Sequence, residues 1–416
     1  MAERRLRPSP NVAAALVLAV LAGAILLWQR PWVGEPDPGA GAVSLPADAR
    51  SKLTAQLREM SRASSQDAFV AAAGDLPAAR AFAKRTWRAM QSVAMPGATF
   101  RYVSGGEVAD RADGSAAASA EVSWQPSPGS GLDPAATYRS TVELRVRPEA
   151  DGTLSVVGAE QVAGQVPIWL IGDVAVDDGA GRTVVRVDGG GSLPLEDMAT
   201  TARAAVERVL PGVDGRLTII SPRTRAQMAA IVGQESDAVA QIAAITTGLD
   251  GDPAAGQPVV VLNPTVFATM DRRAAQVVLT HEATHALTTA VGTTGANWVV
   301  EGFADFVALR DDTAPLSVSA GQALADVRAG RVPEGLPADA DFSSTGHGLG
   351  ALYESTWMIF RLLARDHPDS DLVAFYQQVV GGEPVERALQ STFGLTVDEL
   401  TARWRDYLTK SASTTS

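Results

Sequence analysis

Hydrophobic residues first recur at helical spacing, over 49–63 and 75–92, and then shift to a period of two. That alternation predicts strands near 98–103, 118–125, 137–147 and 154–162, separated by turn-forming runs such as SPGSGLDP. Helices followed by strands predict a small accessory α+β domain over 48–165. Beyond it the pattern changes. TVVRVD (183–188), RLTIIS (216–221) and PVVVLN (258–263) are short apolar runs rich in β-branched residues and predict strands. Helices near 195–209 and over TRAQMAAIVG lie between them. A long helix is expected over 272–290, then a loop containing Gly292 and Gly295, and a second helix over about 297–309. The stretches at about 318–329, 347–366, 369–380, 383–393 and 396–409 read as helical, and the Ser/Thr tail at 411–416 as disordered. The fold class is therefore α+β, with a sheet-plus-helix subdomain joined to a helical C-terminal subdomain over 166–410.

One run fits neither period. Residues 12–28 are apolar, broken only by small residues, and follow Arg4, Arg5 and Arg7. At 1.5 Å per residue this run spans about 25 Å, enough for a bilayer core. Basic residues ahead of it predict an N-terminus inside the cell and the rest outside. The expected order is a basic stub and transmembrane anchor over 1–30, a Pro/Gly-rich linker over 31–47, and an extracellular remainder. The alternative is a cleaved signal peptide, for which GAGA at 39–42 offers small residues; the product would then be secreted.

Composition narrows the chemistry. A net charge of −12 would repel a phosphate backbone, so nucleic acid is not an expected partner. The absence of cysteine excludes disulfides, thiolate metal sites and cysteine nucleophiles, so any metal is held by His, Asp or Glu. The chain has only four histidines, and two of them stand in His281-Glu282-Ala283-Thr284-His285. Positions four apart share one face of a helix, so both imidazoles reach one ion. Glu282, about 100° further round, flanks a metal-bound water and is placed to take its proton. Catalytic zinc takes three protein ligands and keeps one position open. The third is expected in NWVVEGFADF, where a hairpin across Gly292 and Gly295 brings Glu301 beneath the histidines. Asp305, one turn later, then reaches the outer nitrogen of a ligating histidine and fixes its tautomer.

HEATH followed by WVVEGFADF resembles the gluzincin metallopeptidases, the thermolysin and aminopeptidase N relatives, and among them the peptidase MA-like families of exported bacterial proteins. The resemblance covers roughly 165–410. It implies zinc held by His281, His285 and Glu301, Glu282 as general base and Asp305 as an outer partner. It also implies that PVVVLN is the sheet-edge strand that receives substrate backbone. An oxyanion stabiliser is expected downstream, and GHGLGALYESTWMIF offers Tyr353 and His347. No segment like the GxMEN of the aminopeptidases precedes the motif, which points away from an aminopeptidase towards an endopeptidase or an uncharacterised specificity. The accessory domain is similar in shape to the cystatin-like or NTF2-like class and carries no catalytic constellation.

The function expected from these residues is a membrane-anchored, extracellular zinc peptidase acting on a peptide or protein. Its rival is a non-catalytic metal-binding or peptide-binding module of the same fold, acting at the cell surface; a metal-only scaffold has no need of Glu282. Tyr353 lies among Leu349, Leu352 and Trp357 at near-helical spacing and reads equally well as a core residue. His347 also reads as a loop or cap residue, His367 as a partner of a helix C-terminus, and the carboxylates of RDD (310–312) as solvated.

Overall fold

The computed structural model describes residues 47–103, 115–128, 130, 132–150, 152–160, 164–249, 256–288, 293–343 and 348–414. Helices α1 (Ala47–Arg62), α2 (Gln66–Ala73) and α3 (Pro77–Ser92) precede strands β1 (Ala98–Tyr102), β2 (Ala116–Trp124), β3 (Tyr138–Pro148) and β4 (Leu154–Glu160). The strands pair in sequence order, all antiparallel. Alternate residues of β3, from Tyr138 to Val146, are buried, and that inward face shares a core with Leu53, Leu57, Phe69 and Phe82 of the three helices. Periodicity missed α2, which has 8 residues; its start is set by Ser65, whose hydroxyl accepts from Ala68 N at 3.2 Å.

A second sheet follows the short helix α4 (Ile168–Ile171). Its strands are β5 (Val174–Gly179), β6 (Arg182–Val187), β7 (Leu217–Ser221), β8 (Ala244–Thr247) and β9 (Val259–Leu262), in the order β5-β6-β7-β9-β8. The three central strands run parallel and the two outer ones antiparallel. Helix α5 (Leu195–Val209) connects β6 to β7, and α6 (Arg225–Val232) follows β7. Both faces of this sheet are covered. Val184, Ile219, Val260 and Leu262 face one core, while Val185, Ile220, Val259 and Val261 face the core shared with the four-stranded sheet. The inner strands β7 and β9 are buried at every position and so lose the polar–apolar alternation that marks a one-sided strand. One expectation is corrected: PVVVLN forms β9, which is flanked by β7 and β8, and the edge strand on that side is β8.

The other core is helical. It is built by α5, α7 (Pro264–Phe267), α8 (Arg272–Leu287), α9 (Asn297–Leu309), α10 (Leu316–Ser319), α11 (Gly321–Arg328), α12 (Leu349–Asp366), α13 (Asp369–Val380), α14 (Val385–Phe393) and α15 (Val397–Thr414). Asp271 starts α8 by accepting from Ala274 N at 2.8 Å. Apart from their first turn, α8 and α9 are buried nearly all round, which makes them the central helices of the fold. The chain is thus mixed α/β, of the α+β kind. The expected disordered tail at 411–416 is corrected as far as Thr414: α15 continues through it because Ala412 packs into the helical core. The RDD carboxylates are ion-paired, Asp311 with Arg208 and Asp312 with Arg273, and Asp312 also accepts from the Ser319 hydroxyl. Among the described residues no helix is long and apolar enough to cross a membrane; the apolar run at 12–28 lies outside them.

Candidate metal centre

Four side chains from two helices converge between α8 and α9. His281 and His285 stand one turn apart on α8 with their rings nearly perpendicular (82°). Their Nε2 atoms lie 3.0 Å apart. Glu301, near the start of α9, sets Oε2 3.1 Å from His281 Nε2 and Oε1 3.4 Å from His285 Nε2. Behind this triangle, Asp305 Oδ1 lies 2.8 Å from His281 Nδ1. Asp305 follows Glu301 by one helical turn, so one face of α9 presents both carboxylates. The carboxylate of Asp339 accepts the Asn297 N–H at 2.8 Å and so satisfies one of the free donors that begin α9.

This arrangement passes a geometric test for a small cation. Tetrahedral zinc with ligands at 2.0–2.1 Å holds them about 3.3–3.4 Å from one another, close to the edges of the triangle. Charge points the same way. Burial alone would force Glu301 and Asp305 to take up protons. His285 and His281 overcome that for Glu301, whose carboxyl falls to about 2, whereas Asp305 stays above the usual carboxylate range because burial dominates. Burial disfavours a charged His281, yet Asp305 and Glu301 together outweigh it and raise the imidazole well above its ordinary value. Two buried carboxylates thus draw positive charge onto this imidazole, as a cation at the same place would satisfy them directly. The buried group His281, His285 and Glu301 can hold a metal ion.

Glu282 occupies the neighbouring face of α8. Its Oε2 accepts from the Thr246 hydroxyl at 2.6 Å, and Oε1 is buried without a hydrogen-bond partner. One carboxylate oxygen is therefore anchored and the other is free to work. Tyr353, on α12, lies with its ring centroid 6.5 Å from that of His281, and its hydroxyl hydrogen-bonds Glu301. Burial and the charges of Glu301, Asp305 and Glu282 raise this phenol well above its ordinary value, so it keeps its proton and can donate it in a hydrogen bond. Tyr353 is a core residue and a member of this cluster at once.

The structure therefore brings together His281, Glu282, His285, Glu301, Asp305 and Tyr353, while His347 lies outside the described residues. All six are enclosed: His281, Glu282, Asp305 and Tyr353 are 0% exposed, Glu301 3% and His285 6%. What the sequence reading missed is Thr246. Its only signal is the β-branched run Ile245-Thr246-Thr247, too short for periodicity to register.

Scanned against protein-family models the chain matches none, and a search of curated proteins finds no match to it.

Proposed function

We propose that this chain is a zinc-dependent peptidase of gluzincin type, more specifically an endopeptidase, exported and held at the membrane by the apolar run at 12–28. The observation that carries the reading is the triangle of His281, His285 and Glu301, with Asp305 behind it and the unpartnered Oε1 of Glu282 beside it. Three protein ligands leave one coordination position free, which favours a catalytic over a structural centre. Zinc suits two imidazoles and a carboxylate, and when bound it supplies Lewis acidity to a water and to a peptide carbonyl.

The remaining steps belong to the protein. Asp305 accepts the Nδ1 proton of His281, so that a metal would displace only the Nε2 proton and meet that nitrogen's lone pair. Glu282 Oε1 takes a proton from the attacking water and returns it to the leaving amine, with Oε2 fixed by Thr246. Tyr353 donates its hydroxyl hydrogen bond to the oxyanion that develops at the substrate carbonyl. Strand β8 offers an extended substrate a partner strand, since the N–H and C=O groups of its residues 244 and 246 point away from β9 in the observed register. All six side chains of the cluster are covered, so substrate entry requires the surrounding segments to part.

The experiment is metal content and peptide-library cleavage by the full-length chain and by Glu282→Gln. The expected result is one zinc per chain in both proteins and cleavage only by the parent. Equal behaviour of the two towards peptides would favour the non-catalytic binding module, and absence of bound metal from both would remove the proposal.

A further inference from the structure

Past the metal-binding residues, the C-terminal ends of α9 and α12 meet α15 around a cleft of about 370 Å³. Its floor is apolar and its rim is basic. Arg310 lies over Phe306 at 5.8 Å, Arg361 over Trp357 at 5.6 Å and Arg365 over Tyr407 at 5.4 Å. Each guanidinium lies within cation–π range of a ring, which holds the three positive charges along one rim of the cleft. Arg361 is further fixed by donating from Nε to the Tyr407 hydroxyl at 3.0 Å.

The charges around this rim do not balance. Arg310 pairs with Asp369 at 3.0 Å. Of the other nearby carboxylates, Asp311 pairs with Arg208, Asp312 with Arg273 and Asp406 with Lys410, while Asp366, next to Arg365 in the chain, is exposed and pairs with neither arginine. Among the described residues, Arg361 and Arg365 therefore have aromatic partners but no carboxylate. They stand one helical turn apart, where like charges repel, in a chain of net charge −12. Placement near a helix C-terminus accounts for Arg310 and Arg365. It does not account for Arg361, which lies well inside α12.

We propose that this cleft binds a phosphomonoester carried on an apolar or aromatic body. A phosphomonoester bears a charge of about −1.5 to −2 at neutral pH, which matches two uncompensated guanidiniums; a single carboxylate does not. Planar guanidinium forks suit phosphate oxygens. A phosphate group alone leaves much of the cleft unfilled, and the remaining space is bounded by Leu309, Ala364 and the three rings, surfaces for an apolar body. The chemistry is shared by a phospholipid headgroup with a terminal phosphate and by a soluble aryl or alkyl phosphate.

Calorimetry on the full-length protein with inorganic phosphate, phenyl phosphate and benzoate tests the proposal. Phenyl phosphate is expected to bind saturably and more tightly than either of the others. Arg361→Ala combined with Arg365→Ala should weaken it by at least about tenfold, and the corresponding double lysine variant should fall between the two. Flotation with phosphatidylcholine vesicles, with and without phosphatidic acid, separates the sources. Phosphatidic-acid-dependent flotation that the double alanine variant loses assigns the lipid headgroup. Phenyl phosphate binding without such flotation assigns a soluble ester. Absence of both, or binding unchanged in a double alanine variant with parental circular dichroism, overturns the proposal.

Discussion

The hydroxyl of Thr246 donates to Glu282 Oε2 over 2.6 Å and also reaches the Glu282 backbone oxygen at 3.1 Å, so the edge strand β8 and helix α8, which carries both histidines, are joined at the proposed base. A hydrogen bond to a charged group contributes about 1.5–3 kcal/mol. Thr246→Val keeps the volume and deletes the donor. With the carboxylate released, kcat is expected to fall about 10- to 100-fold, with KM and zinc content unchanged. Thr246→Ser should recover most of the loss. A valine variant with parental kcat would reduce Thr246 to a packing residue.

Asp305 contacts His281 and would act on a bound metal only through it. Removing it as Asp305→Ala leaves His281 Nδ1 buried and unpaired, and frees the ring to turn. Zinc affinity, read by competition with a chelating dye, is expected to drop about 10- to 100-fold. Asp305→Asn, which keeps an acceptor, should lose less. Parental affinity in the alanine variant would show that Asp305 does not orient the ligand.

Tyr353 packs edge-on against Phe342, with ring centroids 5.7 Å apart, so Tyr353→Phe preserves the packing and deletes only the hydroxyl. One oxyanion donor is worth about 100- to 1000-fold in kcat, and that loss is expected with little change in zinc content. An active phenylalanine variant would hand the role to another residue.

Much of this arrangement was legible in the sequence because the decisive signals are local. The i, i+4 spacing of His281 and His285, and that of Glu301 and Asp305, sets two faces of two helices without tertiary information. What was not legible depends on pairing. The strand order that makes β8 rather than β9 the edge is fixed by hydrogen bonds between segments far apart in the chain, and four residues carry no period. Tyr353 was ambiguous for a related reason. Burial and proximity to His281 are both consequences of how α12 crosses α9, and helical spacing alone reports only the first.

Gly302 explains how closely that crossing is made. A Cβ at this position would come within 2.8 Å of Thr356 Cγ2 and 2.9 Å of Phe360 Cδ2, both on α12. A glycine inside a helix has a propensity cost, offset here by the close approach that sets Glu301 and Tyr353 within hydrogen-bonding distance. Gly302→Ala overpacks the contact and is expected to cost about 1–3 kcal/mol, lowering Tm by roughly 2–6 °C. Zinc affinity should fall with it, because Glu301 is the adjacent residue. A variant with unchanged Tm and zinc affinity would mean that the two helices part without moving the ligand.

Glu354 is buried on α12, next to Tyr353, and its two oxygens accept from Ala323 N at 2.8 Å and Gln322 Nε2 at 3.2 Å. Burial outweighs those bonds and raises the carboxyl from 4.5 to about 7. Between these values the folded chain keeps a proton that the unfolded chain has released. Stability from this group is therefore fully present below about pH 4.5 and is lost as pH rises to about 7, a decline of roughly 3 kcal/mol. Glu354→Gln cannot ionise and should lack the slope. Urea unfolding at about pH 5 and pH 8 is expected to show the parent losing roughly 2–3 kcal/mol more than the variant across that interval. Parallel losses in the two proteins would mean that Glu354 ionises in the folded state as readily as in the unfolded one, with the N-terminal N–H groups of α11 sufficient to hold its charge.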